Sequence, residues 1–269
     1  MINPNETSAV LLEVDERKVA TVIFNRPAVN NAYDGDFIQC LLRAIDALDT
    51  VAGLRAVIVK NRGKHFQAGA DLKWLNAVRI SSPEENIRAS RATAEAVQRL
   101  NLAPVPTVAL VQGACFGGGT GIVSACDIVI AADNAAFAIA EVRVGVAGTI
   151  IIPQLNDAMS LRQVRRYALT GERFDAAEAR RIGLVHEIVP LAELESAGAR
   201  IVGHLLENGP DAISQTKAIA MRSAWNHLDE AAFEQLIVSH AAKRQSTEAA
   251  EGLASFAERR PAHWGKTRS

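Results

Sequence analysis

The sequence predicts an α/β protein with a helical C-terminal lobe, and three observations lead to this prediction. Short apolar runs typical of buried strands alternate with helical periodicity in the first half of the chain. Beyond Pro153 the periodicity is almost entirely helical. The 269 residues are 49% hydrophobic and 22% charged, which is typical of a globular protein with a sizeable core. No low-complexity linker interrupts the pattern, so the division follows the change in periodicity. We expect a β-rich core over residues 1–195 and a helical lobe over 196–269.

The elements of the core are predicted from the spacing of their apolar residues. Two alternating runs, separated by the charged residues 15–18, indicate a β-hairpin. After them, apolar residues at steps of three and four indicate helices, and short uninterrupted apolar runs indicate buried strands. In chain order the predicted elements are hairpin strands over 10–14 and 19–24, a helix over 34–50, a strand over 56–59, a helix over 83–100, a strand over 106–111, a short helix over 122–125 and a strand over 128–132.

The later part of the chain is predicted as a series of helices. Asp175, followed three residues later by Glu178, has the spacing of a capping box at a helix start. Gly183 suits the left-handed residue that ends a helix. The predicted helices cover residues 161–169, 175–181, 191–206, 211–225, 230–243 and 248–259.

The composition excludes nucleic acid as a partner and indicates a reduced compartment. The formal net charge is −1 and only 5% of the residues are aromatic, so the chain lacks both a basic excess and a supply of stacking platforms. Its three cysteines are odd in number and have no C-x-x-C spacing, which is typical of free thiols. The N-terminal residues form no basic, apolar leader, and we expect a cytoplasmic protein.

Residues 100–126 contain no charged side chain and are long enough to cross a bilayer. Two prolines and five glycines interrupt this run, and flanking basic and aromatic anchors are lacking. We therefore expect a buried strand, a glycine turn and the start of a buried helix in this segment, and no contact with a membrane.

Motifs for common cofactors and nucleophiles fail on spacing. After Gly117 and Gly119, or Gly119 and Gly121, the third glycine of a dinucleotide fingerprint would fall on Ile122 or Ser124. The sequence has no G-x-x-x-x-G-K-[ST] loop and no G-x-S-x-G elbow. Its six histidines are dispersed without metal-ligand spacing, which predicts surface or capping positions for them. We expect neither a metal nor a separate cofactor.

Two similar segments remain, and together they indicate a site for a developing negative charge. Residues 57–60 and 108–111 have the pattern of buried strands, and each leads into an aromatic residue and a tight turn of small residues, 66–71 and 115–119. Small residues let a ligand approach main-chain N–H groups. Two such turns side by side would form an oxyanion hole, in which each donor is worth about 3 to 4 kcal/mol. For either turn alone, close packing of strand on helix is the alternative explanation.

Motifs in a fixed order along nearly the whole chain carry a resemblance to a known family. They are NRP at 25–27 with NA at 31–32, HFQAGADL at 65–72, QGACFGGG at 112–119 with CD at 126–127, FAIAEVRVG at 137–145, TGERF at 170–174, GLV at 183–185, and EG at 251–252 with Phe256. In these motifs the chain resembles the crotonase family of enoyl-CoA hydratases and isomerases. The resemblance implies a superhelical spiral of ββα units whose helical C-terminal lobe mediates trimerisation, with assembly as homotrimers or as hexamers made of two trimers.

The resemblance also assigns site residues. It implies that the N–H groups of Ala68 and Gly118 hold the thioester oxygen and that Glu141 is the catalytic acid and base. Coenzyme A is then part of an acyl-CoA thioester substrate. The residues implied to contact that substrate are Arg26, Ala28, Phe66, Gly69, Ala70, Asp71, Leu72, Lys73, Phe116, Gly117, Gly121 and Arg143.

One of the family's two catalytic glutamates is missing. They would fall at positions 121 and 141, but position 121 is Gly. Because acid–base assistance contributes roughly 10² to 10⁴ in rate, the two-carboxylate scheme does not transfer intact. Either Glu141 alone supports hydration of a 2-enoyl-CoA, or it moves a proton between the α and γ carbons as in a 3,2-enoyl-CoA isomerase. A third alternative is a non-catalytic binding or RNA-associated member of the fold, for which the near-neutral charge makes RNA a poor ligand.

The sequence around Glu141 resembles one branch of the family, the bacterial methylglutaconyl-CoA and isohexenylglutaconyl-CoA hydratases, which also have Gly at the first glutamate position. Residues 147–153 replace the family's usual I-P-G-x-G-G, which indicates an altered acyl pocket. The implied substrate is a short or branched 2-enoyl-CoA such as a 3-substituted glutaconyl-CoA. Arg143 would either meet a substrate carboxylate or form a salt bridge. Phe66 and Phe116 would either wall the acyl channel or belong to the core. Asp127 is predicted to be structural.

Overall fold

The computed structural model describes residues 7–224 and 230–260. The strands are β1 (Val10–Val14), β2 (Val19–Phe24), β3 (Ala56–Asn61), β4 (Thr107–Val111), β5 (Ala114–Phe116), β6 (Ile128–Ala132), β7 (Ala136–Ala138), β8 (Arg173–Asp175) and β9 (Glu187–Val189). The helices are α1 (Gly35–Leu48), α2 (Leu72–Arg79), α3 (Pro83–Asn101), α4 (Gly118–Ser124), α5 (Ile152–Met159), α6 (Leu161–Thr170), α7 (Ala176–Arg181), α8 (Leu194–Glu207), α9 (Pro210–Ala224), α10 (Glu230–Arg244) and α11 (Thr247–Ala257). Short 3₁₀ turns cover Pro27–Val29, Glu141–Val144, Thr149–Ile151 and Leu191–Glu193.

The larger sheet has six strands in the order β1-β2-β3-β4-β6-β9. Strands β1 and β2 form the antiparallel hairpin that alternation predicts, with Val10 opposite Phe24. The pairs that follow along this sheet are parallel. Parallel strands are covered on both faces, and β4 is buried along its whole length. The uninterrupted apolar runs therefore predicted β3, β4 and β6 correctly.

A second sheet of three strands, in the order β5-β7-β8, stands beyond the ends of the larger sheet's strands. Each of these strands has only three residues. A run this short shows no periodicity, which is why the sequence did not predict them, and β9 was missed for the same reason. This small sheet matters because β5 leads directly into α4 and β7 leads into the turn Glu141–Val144.

Helix boundaries follow their caps. Asp175 is the N-cap of α7 and accepts a hydrogen bond from the Glu178 N–H, as predicted. The reciprocal bond of a capping box is absent there, because the Glu178 carboxylate binds Tyr167 and Arg181 instead. A complete capping box forms at the start of α3, between Ser82 and Glu85.

Several helical predictions need correction. The short helix predicted over 122–125 begins earlier, at Gly118, and helices α2 and α5 were not predicted at all. Gly183 has the left-handed backbone expected after α7, with φ +96°. The helix predicted over 211–225 ends at Ala224 in the described residues, and position 225 lies outside them.

The uncharged run 100–126 is divided among the end of α3, the strands β4 and β5, and α4. Most of its side chains are buried, such as Leu100, Val111 and Val123 of the main core, whereas Leu102 is exposed. Among the residues that the structure describes, no helix is both long enough and apolar enough to span a bilayer.

The C-terminal helices pack closely on the core. In α8, Leu194 and Ala197 are buried in a second apolar cluster together with side chains of β4 and β6, and α10 packs along α3. Asp127, predicted to be structural, accepts hydrogen bonds from the Thr107 N–H at 2.7 Å and from the Lys217 Nζ of α9 at 2.7 Å. The division at residue 195 stays a prediction.

Candidate active site

The two small-residue turns lie side by side, as the sequence predicts. Gln67 and Cys115 form a parallel bridge between them. The Gln67 N–H donates to the Ala114 carbonyl at 3.0 Å, and the Phe116 N–H donates to the Gln67 carbonyl at 2.9 Å. These bonds hold residues 68–70 directly opposite the start of α4.

Three main-chain N–H groups near this junction, those of Gly69, Ala70 and Gly118, have no acceptor among the described residues. Tyr33 runs parallel to the first turn, where its N–H donates to Gly69 and its carbonyl accepts from Asp71. Because successive N–H groups along an extended chain point to opposite sides, the Ala70 N–H faces away from Tyr33. Gly118 is the first residue of α4, where helix geometry supplies no acceptor for the N–H. Ala70 and Gly118 both line one cavity.

The assignment of an oxyanion donor to Ala68 needs correction. The Ala68 N–H donates to the Asn30 carbonyl at 3.0 Å and is therefore engaged within the protein. Ala68 does line the cavity through its other atoms. The N–H of Ala70, two residues later, has no acceptor among the described residues and faces away from Tyr33.

Glu141 begins the 3₁₀ turn after β7, and its carboxyl group fits between two glycines. A Cβ added to Gly117 would lie 3.1 Å from the Glu141 Oε1, and one added to Gly148 would lie 3.2 Å from its Cδ. The Oε2 atom is buried and has no hydrogen-bond partner in the described part of the chain. Burial disfavours the charged form and raises the pKa of Glu141 from 4.5 to about 7.

Position 121 has no room for a side chain. A Cβ added to Gly121 would lie 2.3 Å from the Cγ2 of Ile151, and 2.9 Å from its Cβ. Gly121 itself is buried and does not line the cavity, whereas Ile151 does. An apolar side chain therefore fills the place where the resemblance expects a second carboxylate.

Tyr33 covers Gly118 from the side of α2. A Cβ on Gly118 would lie 2.6 Å from the Tyr33 Cε1, so only glycine lets the ring approach this closely. The ring makes an edge contact with Trp74 at 5.7 Å between centroids. Burial and the nearby Glu141 charge raise the pKa of the Tyr33 phenol, which keeps it neutral at ordinary pH.

The cavity bounded by these groups has a volume of about 660 Å³. That is within the range of ligand pockets, which is roughly 300–1,000 Å³. Its lining includes the following predicted site residues: Ala68, Gly69, Ala70, Leu72, Phe116, Gly117, Gly118, Glu141 and Arg143. The structure thus brings together the carboxylate, both turns and Phe116.

Several predicted ligands lie outside that lining. Phe66 is fully buried and contacts Phe24 at 5.1 Å between ring centroids, so it belongs to the core and does not wall the channel. Asp71 caps α2 through hydrogen bonds to the N–H groups of its first turn. Arg26 forms an ion pair with Asp34 at 2.8 Å.

Ala28 and Lys73 are exposed and also lie outside the lining. They occupy the turn Pro27–Val29 and the first turn of α2, so a contact with the nucleotide end of coenzyme A stays a prediction for both. Arg143 is exposed and has no ion-pair partner within the described ranges.

Sequence reasoning missed several polar residues of the lining, among them Tyr33, His240 and Arg244. Tyr33 follows the NA motif at 31–32 and could have been found from it. His240 and Arg244 lie on α10, where a buried polar side chain gives no sequence signal distinct from a surface residue. His240, for which a surface or capping position was predicted, is 6% exposed. No group of three or more potential metal ligands occurs among the described residues.

Comparison with known proteins identifies relatives along nearly the whole chain. The pattern of the enoyl-CoA hydratase/isomerase family matches residues 15–267. The short-chain-enoyl-CoA hydratase of Clostridium acetobutylicum is 32% identical over 85% of this chain and 87% of its own length. The mitochondrial Delta(3,5)-Delta(2,4)-dienoyl-CoA isomerase of Dictyostelium discoideum is 27% identical over 91% of this chain and 87% of its own length.

Among solved structures, an enoyl-CoA hydratase from Mycobacterium avium superimposes with a TM-score of 0.84 and 29% sequence identity. The match covers 96% of this chain and 99% of that chain.

Proposed function

Since the chain belongs to the enoyl-CoA hydratase/isomerase family and has the crotonase fold, we propose that it is an enoyl-CoA hydratase acting on a short or branched 2-enoyl-CoA. A 3-substituted glutaconyl-CoA is within the proposed class. The proposal rests on one observation: the unengaged N–H groups of Ala70 and Gly118 line the same cavity as Glu141, a carboxylate whose pKa is raised.

The proposed oxyanion hole consists of the N–H groups of Ala70 and Gly118. As hydroxide adds to the β-carbon, negative charge moves onto the thioester oxygen, and these two donors stabilise it. Donors of this kind accelerate a reaction by roughly 10² to 10³ each. Support for the pair comes from their lack of other acceptors in the described chain and from the position of Gly118 at a helix N-terminus.

Glu141 is proposed to handle both protons. As a carboxylate it removes a proton from water while the water oxygen bonds to the β-carbon, which leaves an enolate. As a carboxylic acid it then returns that proton to the α-carbon, so that one water is added across the double bond. A pKa of about 7 suits both steps, because neither protonation state is far from neutral pH.

A 3,2-enoyl-CoA isomerase is the second candidate, and a specific observation favours it. Ile151 fills the space beside Gly121, so one carboxylate has to do all proton transfer. A single base is sufficient to move a proton between the α and γ carbons of a thioester enolate.

Incubation of the purified protein with three esters tests these proposals. Hydration removes the absorbance of the conjugated thioester in crotonyl-CoA and 3-methylglutaconyl-CoA, whereas isomerisation of 3-hexenoyl-CoA creates it. We expect loss of absorbance with the first two esters. A gain with 3-hexenoyl-CoA alone would establish the isomerase, and no change with any ester would contradict both and revive a non-catalytic binding role.

Homotrimers, or hexamers of two trimers, are also proposed, in line with the family resemblance. Light scattering coupled to gel filtration measures the mass directly. A monomeric mass of 28.8 kDa would contradict the proposal.

A further inference from the structure

Arg244, near the C-terminal end of α10, is a buried cation in the wall of the cavity. Its side chain is among the largest fully buried ones, with 1% of the residue exposed. It lines the same cavity as Glu141 and Gly118. A buried charge normally has a counter-ion, because removing a guanidinium from water costs several kcal/mol.

No carboxylate neutralises Arg244 within the described residues. Its Nη2 donates to the Asn86 carbonyl at 2.8 Å and to the Ser90 Oγ. The Nε is buried without a partner, and no acceptor is found for Nη1 in the same part of the chain. Three of the five N–H donors of the guanidinium therefore lack an acceptor among the described residues. Because the Nε is buried, the two N–H groups of Nη1 are the ones left for a ligand.

The groups that surround Arg244 are neutral. The Trp74 ring lies 5.7 Å from its central carbon, and His240 contacts the Ser90 hydroxyl through Nδ1 at 3.1 Å. Burial, together with the Arg244 charge, lowers the pKa of His240 to about 3, so the imidazole is uncharged. Burial lowers the pKa of Arg244 itself to about 10, and the guanidinium stays cationic at neutral pH.

Tyr33 connects this cation with the reacting centre. Its phenol is close enough to sense the charges of both Glu141 and Arg244, and its ring packs on Gly118. Gly118, Tyr33 and Arg244 all line the one cavity.

We propose that Arg244 binds a carboxylate at the far end of the acyl chain, which makes the substrate an acyl-CoA derived from a dicarboxylic acid. This inference rests on the proposed function. A planar guanidinium with unused donors matches a carboxylate, and the bound anion supplies the missing counter-ion. Arg143, for which sequence alone suggested this role, also lines the cavity, but it is exposed and is therefore not a buried charge that lacks a counter-ion.

Binding of two saturated esters to the unmodified protein tests the inference without any substitution. Glutaryl-CoA carries the distal carboxylate, and 5-methylhexanoyl-CoA has the same length and shape without the charge. By calorimetry we expect glutaryl-CoA to bind roughly 10- to 100-fold more tightly, as a charge-assisted contact to a buried group provides. Equal affinities, or tighter binding of the neutral ester, would overturn the role of Arg244 and leave the proposed function standing. Binding of neither ester would overturn both.

An Arg244→Met variant, checked for folding by circular dichroism, should lose the preference for glutaryl-CoA and keep its affinity for 5-methylhexanoyl-CoA. Arg91→Met is the matched control, because Arg91 also joins α3 to α10, through an ion pair with Glu234, but does not line the cavity. The control should retain the preference. A preference that persists in Arg244→Met, or disappears equally in Arg91→Met, contradicts the proposal.

Discussion

A Cβ on Gly121 would lie 2.3 Å from the Cγ2 of Ile151, which is closer than two carbon atoms can approach. The position of the Ile151 side chain thus requires glycine at position 121, and the two residues pack together beside the cavity. Glu141, whose Oε2 has no partner among the described residues, is then the carboxylate in the described lining to which the proposed proton transfers fall. The mechanism proposed above uses one carboxylate for this reason.

Replacing Gly121 should destabilise the protein and should not improve catalysis. Gly121→Ala forces the Ile151 side chain to move, and overpacking of this kind costs about 1 to 3 kcal/mol in the free energy of unfolding. Gly121→Glu should cost more, because a carboxylate would also be buried against Ile151. Urea denaturation measures the loss of stability, and the rate of crotonyl-CoA hydration measures catalysis.

Gly203→Ala is the control for these variants. Gly203 lies in α8, and a Cβ there meets no atom within 4 Å, so alanine should be neutral or stabilise the helix by up to about 1 kcal/mol. A Gly121→Ala protein as stable as the Gly203→Ala protein would show that Ile151 moves aside freely. A Gly121→Glu protein with faster hydration would contradict the single-carboxylate mechanism.

Glu141→Gln should strongly reduce turnover and preserve binding. The amide has nearly the same size but cannot accept a proton from water, so the rate should fall by roughly 10² to 10⁴. Affinity for butyryl-CoA, a saturated ester that is not hydrated, should stay within a few-fold of the original. A variant that keeps most of its hydration rate would remove Glu141 from the mechanism.

The same substitution should make stability less dependent on pH. The pKa of Glu141 is about 7 in the folded protein and near 4.5 when unfolded, so the folded state binds the proton more tightly. Stability due to this group is therefore full below about pH 4.5 and is lost as the pH rises through 7. Glu141→Gln should be more stable than the original at pH 8, by roughly 1 to 3 kcal/mol, and equally stable near pH 4.5. Thermal unfolding at a series of pH values gives the comparison, and a constant difference would contradict the raised pKa.

Amide hydrogen exchange separates Ala70 from Ala68. The Ala68 N–H is bonded to Asn30 and should exchange slowly in the free protein, with little change when butyryl-CoA binds. The N–H groups of Ala70 and Gly118 should exchange faster in the free protein and slow by at least about tenfold on binding, because the thioester oxygen becomes their acceptor. Nuclear magnetic resonance of alanine- and glycine-labelled protein resolves these signals. Protection of Ala68 alone on binding would restore the original assignment.

The comparison of Ala68 with Ala70 shows how far sequence could predict the site. Two strands followed by turns of small residues were enough to predict that the turns meet, because parallel strands end at one edge of a sheet. Which N–H stays free depends on Asn30 and Tyr33, which come from a loop about 40 residues earlier and pair with one side of the turn. That pairing has no signature in the turn itself.

Arg244 and Ile151 show a second limit. The role of each depends on a contact with a distant part of the chain. Arg244 is hydrogen-bonded to α3, and Ile151 packs on Gly121 of α4. Periodicity located the helix that carries Arg244, but a buried cation and a solvated one look alike in a sequence. The missing glutamate at position 121 was visible from the sequence, whereas the side chain that fills its place was not.

Lys217→Met should lower the free energy of unfolding by about 1 to 3 kcal/mol. The substitution removes the cation of α9 that pairs with Asp127, at the junction of β4, β6 and α9. The Lys217 side chain is only 10% exposed and also donates to the Val105 carbonyl, so water replaces these contacts poorly. Lys60→Met is the matched control. Its partner Glu195 is 70% exposed, and the loss of a surface pair should change the free energy of unfolding by less than about 1 kcal/mol. Urea denaturation of both variants decides the point, since equal effects would mean that Asp127 holds Thr107 without help from α9.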